Sequence, residues 1–256
     1  VPRTRARRAA GALAALLVLP LAACGGTGDS DGGGSGGRLT VMAASSLTDA
    51  FRTLGAAYEK EHPGTELKFS FAGSQQLAAQ VEQGAPADVL VTADERTMDA
   101  VEADTGTPEV IARNRLVIVT GEGNPEHVTS LKDLAGGKLK VVLAAPAVPV
   151  GNYSAKALSA AHLTVRPVSE EPNVRAVLSK VALGEADAGL VYATDAASAP
   201  GKVDAVAVPD AQNQIASYLA ATLDESGAPE AARSFVAWLK SAEARKILRN
   251  AGFQQP

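Results

Sequence analysis

Cysteine is almost missing from this chain, with one in 256 residues. A single thiol excludes a disulfide framework. Histidine is nearly as scarce: His62, His127 and His162 are the full set. Together with Cys24 they are too few soft ligands for a zinc centre. Positive charge is not in excess either. Lys and Arg number 24 against 28 Asp and Glu, a formal net charge of −4, which argues against nucleic acid as the main partner. No repeat at a fixed period is visible, and beyond the N-terminus there is no second apolar run of membrane-spanning type. What is present, 46% hydrophobic and 20% charged residues, excludes a collagen, a coiled coil or a chain disordered throughout. The length allows one large domain or two modest ones.

The N-terminus reads as a targeting segment. Arg3, Arg5, Arg7 and Arg8 form a basic stretch without an acid, and an apolar run follows from Ala9 to Ala23. A permanent span needs roughly 20 apolar residues, so the run has the proportions of a secretory signal over residues 1–23. It ends Leu21-Ala22-Ala23-Cys24, which resembles the bacterial lipobox. That resemblance implies a lipidated Cys24 as the new N-terminus. Removal of residues 1–23 takes away four arginines and no acid, so the formal charge falls from −4 to −8. An exported protein this acidic would have to hold any anionic ligand by local groups, not by global attraction. Residues 24–37 are nearly all Gly, Ser, Asp and Thr after the cysteine and should form a flexible tether. Gly33-Gly34-Ser35-Gly36-Gly37 matches a nucleophile-elbow pattern, but that motif works only on a strand-to-helix turn and carries no expectation here.

From Arg38 onward, β and α patterns alternate. Leu39–Ala43, Leu67–Phe71 and Val89–Val91 read as buried strands, each followed by a helix at 3.6-residue spacing. The first helix carries Leu47, Ala50, Phe51, Leu54, Ala57 and Tyr58, with Ser46 and Asp49 in a capping-box arrangement. Ser74 is placed to cap the second, and a third runs from about Asp94 to Val101. Leu116–Val119 reads as a strand that crosses over. A second set follows: strand Lys140–Leu143, helices Asn152–Ala161 and Val174–Leu183, and strand Ala188–Tyr192. Val203–Val208 and Ile215–Leu223 read as returning strands, and Pro229–Leu248 as one or two closing helices. The expected fold class is α/β, with mainly parallel sheets flanked by helices. Two lobes are expected, residues 38–120 plus 205–256 and residues 121–204, with the ligand cleft between them.

In open α/β sheets, ligands bind beyond the carboxyl ends of the strands. Polar residues at such junctions are Ser45-Ser46, Gly73-Ser74, Val150-Gly151-Asn152 and Asn173-Val174, with Tyr192 ending its own strand. None of these is a cation. The first four instead offer backbone N–H groups at helix starts, where the macrodipole favours an anion, and Ser and Tyr hydroxyls add donors. Such a cleft suits a small oxyanion. Each feature alone has a plainer explanation: serine caps any helix, glycine makes turns, and Lys156 at helical spacing faces water. Asn152-Tyr153-Ser154 matches a glycosylation sequon by chance. No histidine lies in a junction, and Asp88, Asp94 and Asp195, the acids nearby, read as structural, so an enzyme is not expected.

Taken in order, the segments resemble the molybdate-binding proteins of ABC transporters, of the type II periplasmic-binding-protein class. The resemblance rests on Ala43-Ala44-Ser45-Ser46-Leu47-Thr48, Phe71-Ala72-Gly73-Ser74 with Leu77 and Gln80, and Gly84-Ala85-Pro86-Ala87-Asp88-Val89. It continues through Ala93-Asp94, Val148-Pro149-Val150-Gly151-Asn152-Tyr153, Asn173-Val174-Arg175, Gly189-Leu190-Val191-Tyr192 with Asp195, and Ala251-Gly252-Phe253. It covers nearly all of residues 38–256. It implies ligand contacts at Ser46 and Ser74 (hydroxyl and N–H), at the N–H groups of Val150 and Val174, and at the Tyr192 hydroxyl. Ser45 is an alternative to Ser46, and Val150 stands where the family often has alanine.

The implied protein is an exported receptor, lipid-anchored outside the cytoplasmic membrane. It captures molybdate and tungstate and delivers them to a membrane permease. It works as a monomer, without cofactor, coordinated metal cation or nucleic acid. A receptor for another tetrahedral oxyanion such as sulfate is the alternative.

Overall fold

The computed structural model describes residues 37–256. The expected signal segment, Cys24 and nearly all of the tether lie outside the described residues.

The first half of the chain builds three βα units. β1 (Arg38–Ala44) runs through a 3-10 turn at Ser45–Leu47 into α1 (Thr48–Glu61). β2 (Glu66–Ala72) leads to α2 (Ser74–Glu82), and β3 (Val89–Thr92) to α3 (Glu95–Asp99). Both β2 and β3 pair parallel with β1. Residues alternate across this sheet. Leu39, Val41 and Ala43 join the core that includes Phe51, Leu54 and Tyr58 of α1. Met42 and Leu90 join a second cluster on the other face, with Leu77 and Met98 from α2 and α3. Burial on both faces accounts for the near-continuous apolar strands.

β4 (Glu109–Gly121) then crosses the molecule, and α4 (Leu131–Leu134) follows. A second series comprises β5 (Val141–Ala144), α5 (Pro149–Ala160), β6 (Ser169–Glu171), α6 (Val174–Ala182), β7 (Ala188–Tyr192) and α7 (Ala193–Ala197). β8 (Val203–Ala207) and β9 (Ile215–Thr222) return, and α8 (Pro229–Trp238) and α9 (Ala242–Asn250) close the chain.

The strand order is β2-β1-β3-β9-β4-β7-β5-β6, with β8 on β4. Parallel pairing is confined to the βα units, namely β2, β1 and β3 and then β6, β5 and β7. The crossing strands β4 and β9 add antiparallel pairs to β3, β7 and β8 and to each other. β4 is shared lengthwise. Its first part, to Arg115, pairs with β9, and from Leu116 onward it pairs with β7 and β8. The sheet therefore has two βα halves joined through β4 and β9, with helix starts from both halves facing the junction. No helix among the described residues is long and apolar enough to cross a membrane.

Candidate functional site

The carboxyl ends of β1, β2, β3, β5, β6 and β7 converge on one small cavity, lined by Ser46, Ser74, Ala93, Val150, Val174 and Tyr192 among others. All five expected contact residues line it, although they come from two separate halves of the sheet. Ser45 lines it as well. No lining residue is charged. The free space of the cavity is about 10 Å³, close to that of one water-sized sphere, so nothing larger than a small ion is accommodated.

Local sequence explains the donors. Val174 is the first residue of α6, and Ser74 is the first of α2. The opening N–H groups of a helix have no partner inside it. Pro149 opens α5 without an N–H, so Val150 supplies its first donor. Asn173 caps α6, its Oδ1 accepting from the Ala176 N–H at 3.0 Å, and so fixes the orientation of the Val174 peptide. Two glycines allow close approach. A Cβ on Gly73 would lie 2.5 Å from the Pro172 carbonyl oxygen, and one on Gly151 would lie 2.1 Å from that of Ala145.

The serines do not act as the expected caps. Leu47 precedes α1 and Gly73 precedes α2, so neither serine is the residue before its helix, and at α2 it is Gln76 Oε1 that accepts from the Gly73 N–H at 3.1 Å. Both hydroxyls are turned to other partners. The Ala93 N–H donates to Ser74 Oγ at 3.0 Å, so the Ser74 oxygen accepts and its hydrogen is left for the cavity. Ser46 Oγ lies 2.9 Å from the Tyr218 hydroxyl. Tyr192 is 1% exposed, and its hydroxyl has no hydrogen-bond partner. Burial pushes the Tyr192 hydroxyl well above its ordinary pKa. It stays protonated and can donate.

The acids are occupied elsewhere. Asp88 accepts from the Thr40 N–H at 2.7 Å and from Ser226 Oγ at 2.6 Å. Asp94 caps α3, accepting from the Thr97 N–H at 3.1 Å. Asp195 is fully buried and accepts from Arg175 Nε at 2.7 Å. The other end of Arg175 reaches Asp49 of α1 at 2.8 Å. Two further contacts join the halves beside the cavity: Gln75 Nε2 to the Pro172 carbonyl at 2.9 Å, and Arg96 to the Ala147 carbonyl at 2.8 Å. Lys156 is exposed and lies 5.8 Å from the centre of the Tyr153 ring. No group of three His, Cys, Asp or Glu side chains suited to a metal ion occurs among the described residues.

Three residues around the cavity have no role assigned from the sequence. Tyr218 sits within β9, Asn114 within β4, and Arg175 inside a quoted motif without an assigned role. Only the return of β9 between β3 and β4 brings Tyr218 to Ser46.

Fold and cavity together define a binding protein for one small solute, an α/β body whose helix starts supply the donors. The chain belongs to the bacterial extracellular solute-binding proteins, whose family profile matches residues 39–254. It is 41% identical over 253 residues to the molybdate-binding protein ModA of Mycobacterium tuberculosis, covering 96% of this chain and 97% of that one. It is 34% identical over 234 residues to the Escherichia coli protein of the same name, covering 85% of this chain and 89% of that one. The periplasmic molybdate-binding protein of Azotobacter vinelandii has the same fold, with a TM-score of 0.76 at 22% identity over 85% of this chain and 99% of that one.

Proposed function

We propose that the protein is an extracytoplasmic receptor that captures molybdate, and tungstate with it, and delivers the ion to an ABC permease. The observation that carries this reading is the set of unspent hydroxyl hydrogens. Tyr192 has a buried hydroxyl with no partner, and Ser74 accepts internally and keeps its hydrogen. With the free N–H groups of Val150 and Val174, the cavity offers donors throughout. A tetrahedral dianion without hydrogens matches that set. Hydrogen bonds to a charged group contribute roughly 1.5–3 kcal/mol each, so Ser46, Ser74, Val150, Val174 and Tyr192 together offset desolvation of a dianion.

The oxyanion is cargo, not a cofactor, and no chemistry on it is required. Ser46 and Ser74 contribute from one lobe and Val150, Val174 and Tyr192 from the other. Lobe closure excludes water and completes the donor shell. Sulfate offers the same acceptors on a smaller ion, so discrimination comes from cavity size, with donors left under-satisfied around the smaller one. The protein acts as a monomer, held outside the cytoplasmic membrane by lipid on Cys24.

Calorimetric titration of the purified protein with molybdate, tungstate, sulfate and phosphate tests the reading. One-to-one binding of molybdate and tungstate is expected, with sulfate weaker by about a hundredfold, roughly 2.7 kcal/mol. Preference for sulfate would move the substrate and keep the site. No heat with any oxyanion would overturn the function.

A further inference from the structure

Tyr218 is not among the cavity-lining residues, yet it controls one of them. It lies fully buried in β9, with its ring edge-on to Tyr192 at 5.9 Å and to Phe253 at 5.3 Å. Its hydroxyl has two neighbours, Ser46 Oγ at 2.9 Å and Asn114 Nδ2 at 3.5 Å. The orientation of the Asn114 amide follows from its other contacts. Asn114 Oδ1 accepts from the Arg115 N–H at 2.9 Å, and Nδ2 donates to Thr194 Oγ1 at 2.8 Å. The group facing Tyr218 is therefore the NH₂, which can only donate. The Tyr218 oxygen accepts from Asn114, and Ser46 is the acceptor left for the Tyr218 hydrogen. Ser46 Oγ then accepts, and its own hydrogen is free for the cavity.

We infer that Tyr218, oriented by Asn114, is a positioning and specificity-determining residue. It donates to Ser46 and thereby commits the Ser46 hydroxyl to act as a donor toward the bound oxyanion. This rests on the oxyanion reading above and goes beyond it by setting the direction of a hydrogen-bond relay. A chain of hydroxyls polarises each member, so Ser46 donates more strongly with Tyr218 behind it. The reverse direction is penalised. An oxyanion that carries a hydrogen, such as hydrogen phosphate, would donate to Ser46, and Ser46 would then donate to Tyr218. The Tyr218 hydrogen would face the Asn114 NH₂ in a buried site with no acceptor, and an unsatisfied buried donor is costly. The relay therefore admits oxyanions without hydrogens and disfavours those that carry one.

The test is a double-mutant cycle in molybdate affinity with the purified protein, using Ser46→Ala, Tyr218→Phe and the double variant. Tyr218→Phe should weaken binding by about tenfold, the size of one neutral hydrogen bond. The double variant should bind no more weakly than Ser46→Ala alone, because Tyr218 acts only through Ser46. Unchanged affinity in Tyr218→Phe, or losses that multiply in the double variant, would overturn the inference. Asn114→Asp supplies a second readout by giving the Tyr218 hydrogen an acceptor. Competition by sulfate and by hydrogen phosphate at pH 8 should shift at least about tenfold toward hydrogen phosphate in this variant. The ratio cancels the effect of added charge, since both competitors are dianions. An unchanged ratio would overturn the relay. If the wild-type protein binds no oxyanion, the function falls and the inference with it. Wild-type binding with an inert Tyr218 removes the inference alone.

Discussion

Two hydroxyls at the cavity, those of Tyr192 and Ser46, differ in what removing them should do. Tyr192 has no internal partner. Tyr192→Phe should cost roughly 1.5–3 kcal/mol of molybdate binding, about ten- to a hundredfold, as one hydrogen bond to a charged group is lost. It should leave the unliganded protein as stable as before or slightly more so, because the buried group it deletes is unsatisfied. Ser46→Ala should weaken binding by a similar factor and also lower unliganded stability, by about 1–3 kcal/mol, since it strands the Tyr218 hydrogen. Titration and thermal unfolding of the two variants side by side check this contrast. Equal stability losses would mean that the Tyr192 hydroxyl is partnered. The junction residues were legible because helix starts are marked by Ser, Gly, Pro and Asn for local reasons. Tyr218 and Asn114 were not, since neither sits at a helix start and their meaning arises only when β4 and β9 pair.

Among elements, the βα units were the most legible, because apolar runs followed by helical spacing are local patterns. β4 was legible only from Leu116 to Val119. Its earlier part carries Arg113, Asn114 and Arg115, whose polar side chains break the apolar run. β6 is Ser169-Glu170-Glu171 and has no strand-like composition at all; its parallel pairing with β5 makes it a strand.

The link between α6, α7 and α1 was also invisible. Arg175 joins Asp195 to Asp49 and is itself held more firmly protonated by those two acids. Burial nevertheless pushes the Asp195 carboxyl up to about 6. That lies above its unfolded value of about 3.9, so the folded state takes up the proton first. The contribution of Asp195 to stability is therefore complete below about pH 4 and is lost as pH rises through 6. Arg175→Met strips the counter-charge from a fully buried carboxylate and should destabilise the protein at pH 7.5 by about 3 kcal/mol or more. Much of that loss should be recovered at pH 5, where Asp195 is protonated. Unfolding midpoints at the two pH values check it, and a pH-independent loss would mean that Asp195 is not the group left uncompensated.

At the scale of the whole molecule, binding and closure are one event if the cavity lies between two moving halves. Ligand present at a hundred times its dissociation constant should then stabilise the protein by about 2.7 kcal/mol, and scattering should record a smaller radius on adding molybdate. Gly73 separates closure from folding. Its φ of −63° suits any residue, and within its own half the added Cβ meets only the Gln75 amide at 2.6 Å, the end of a flexible side chain that can move aside, so alanine there fits the backbone and reduces the freedom of the unfolded chain. Gly73→Ala should leave the unliganded protein unchanged or stabilise it by about 0.4–1 kcal/mol. The added Cβ, however, would lie 2.5 Å from the Pro172 carbonyl oxygen, which belongs to the opposite half of the sheet. The start of α2 then cannot approach the β6–α6 turn, and the Gln75 contact to the same carbonyl is displaced with it. Molybdate affinity should fall by at least about tenfold, roughly 1.4 kcal/mol, and the ligand-induced decrease in radius should shrink. A variant that folds better yet binds and compacts less is the signature of a glycine kept for closure. If Gly73→Ala bound and compacted as the wild type does, the two halves would not need to meet at Pro172 to hold the ion.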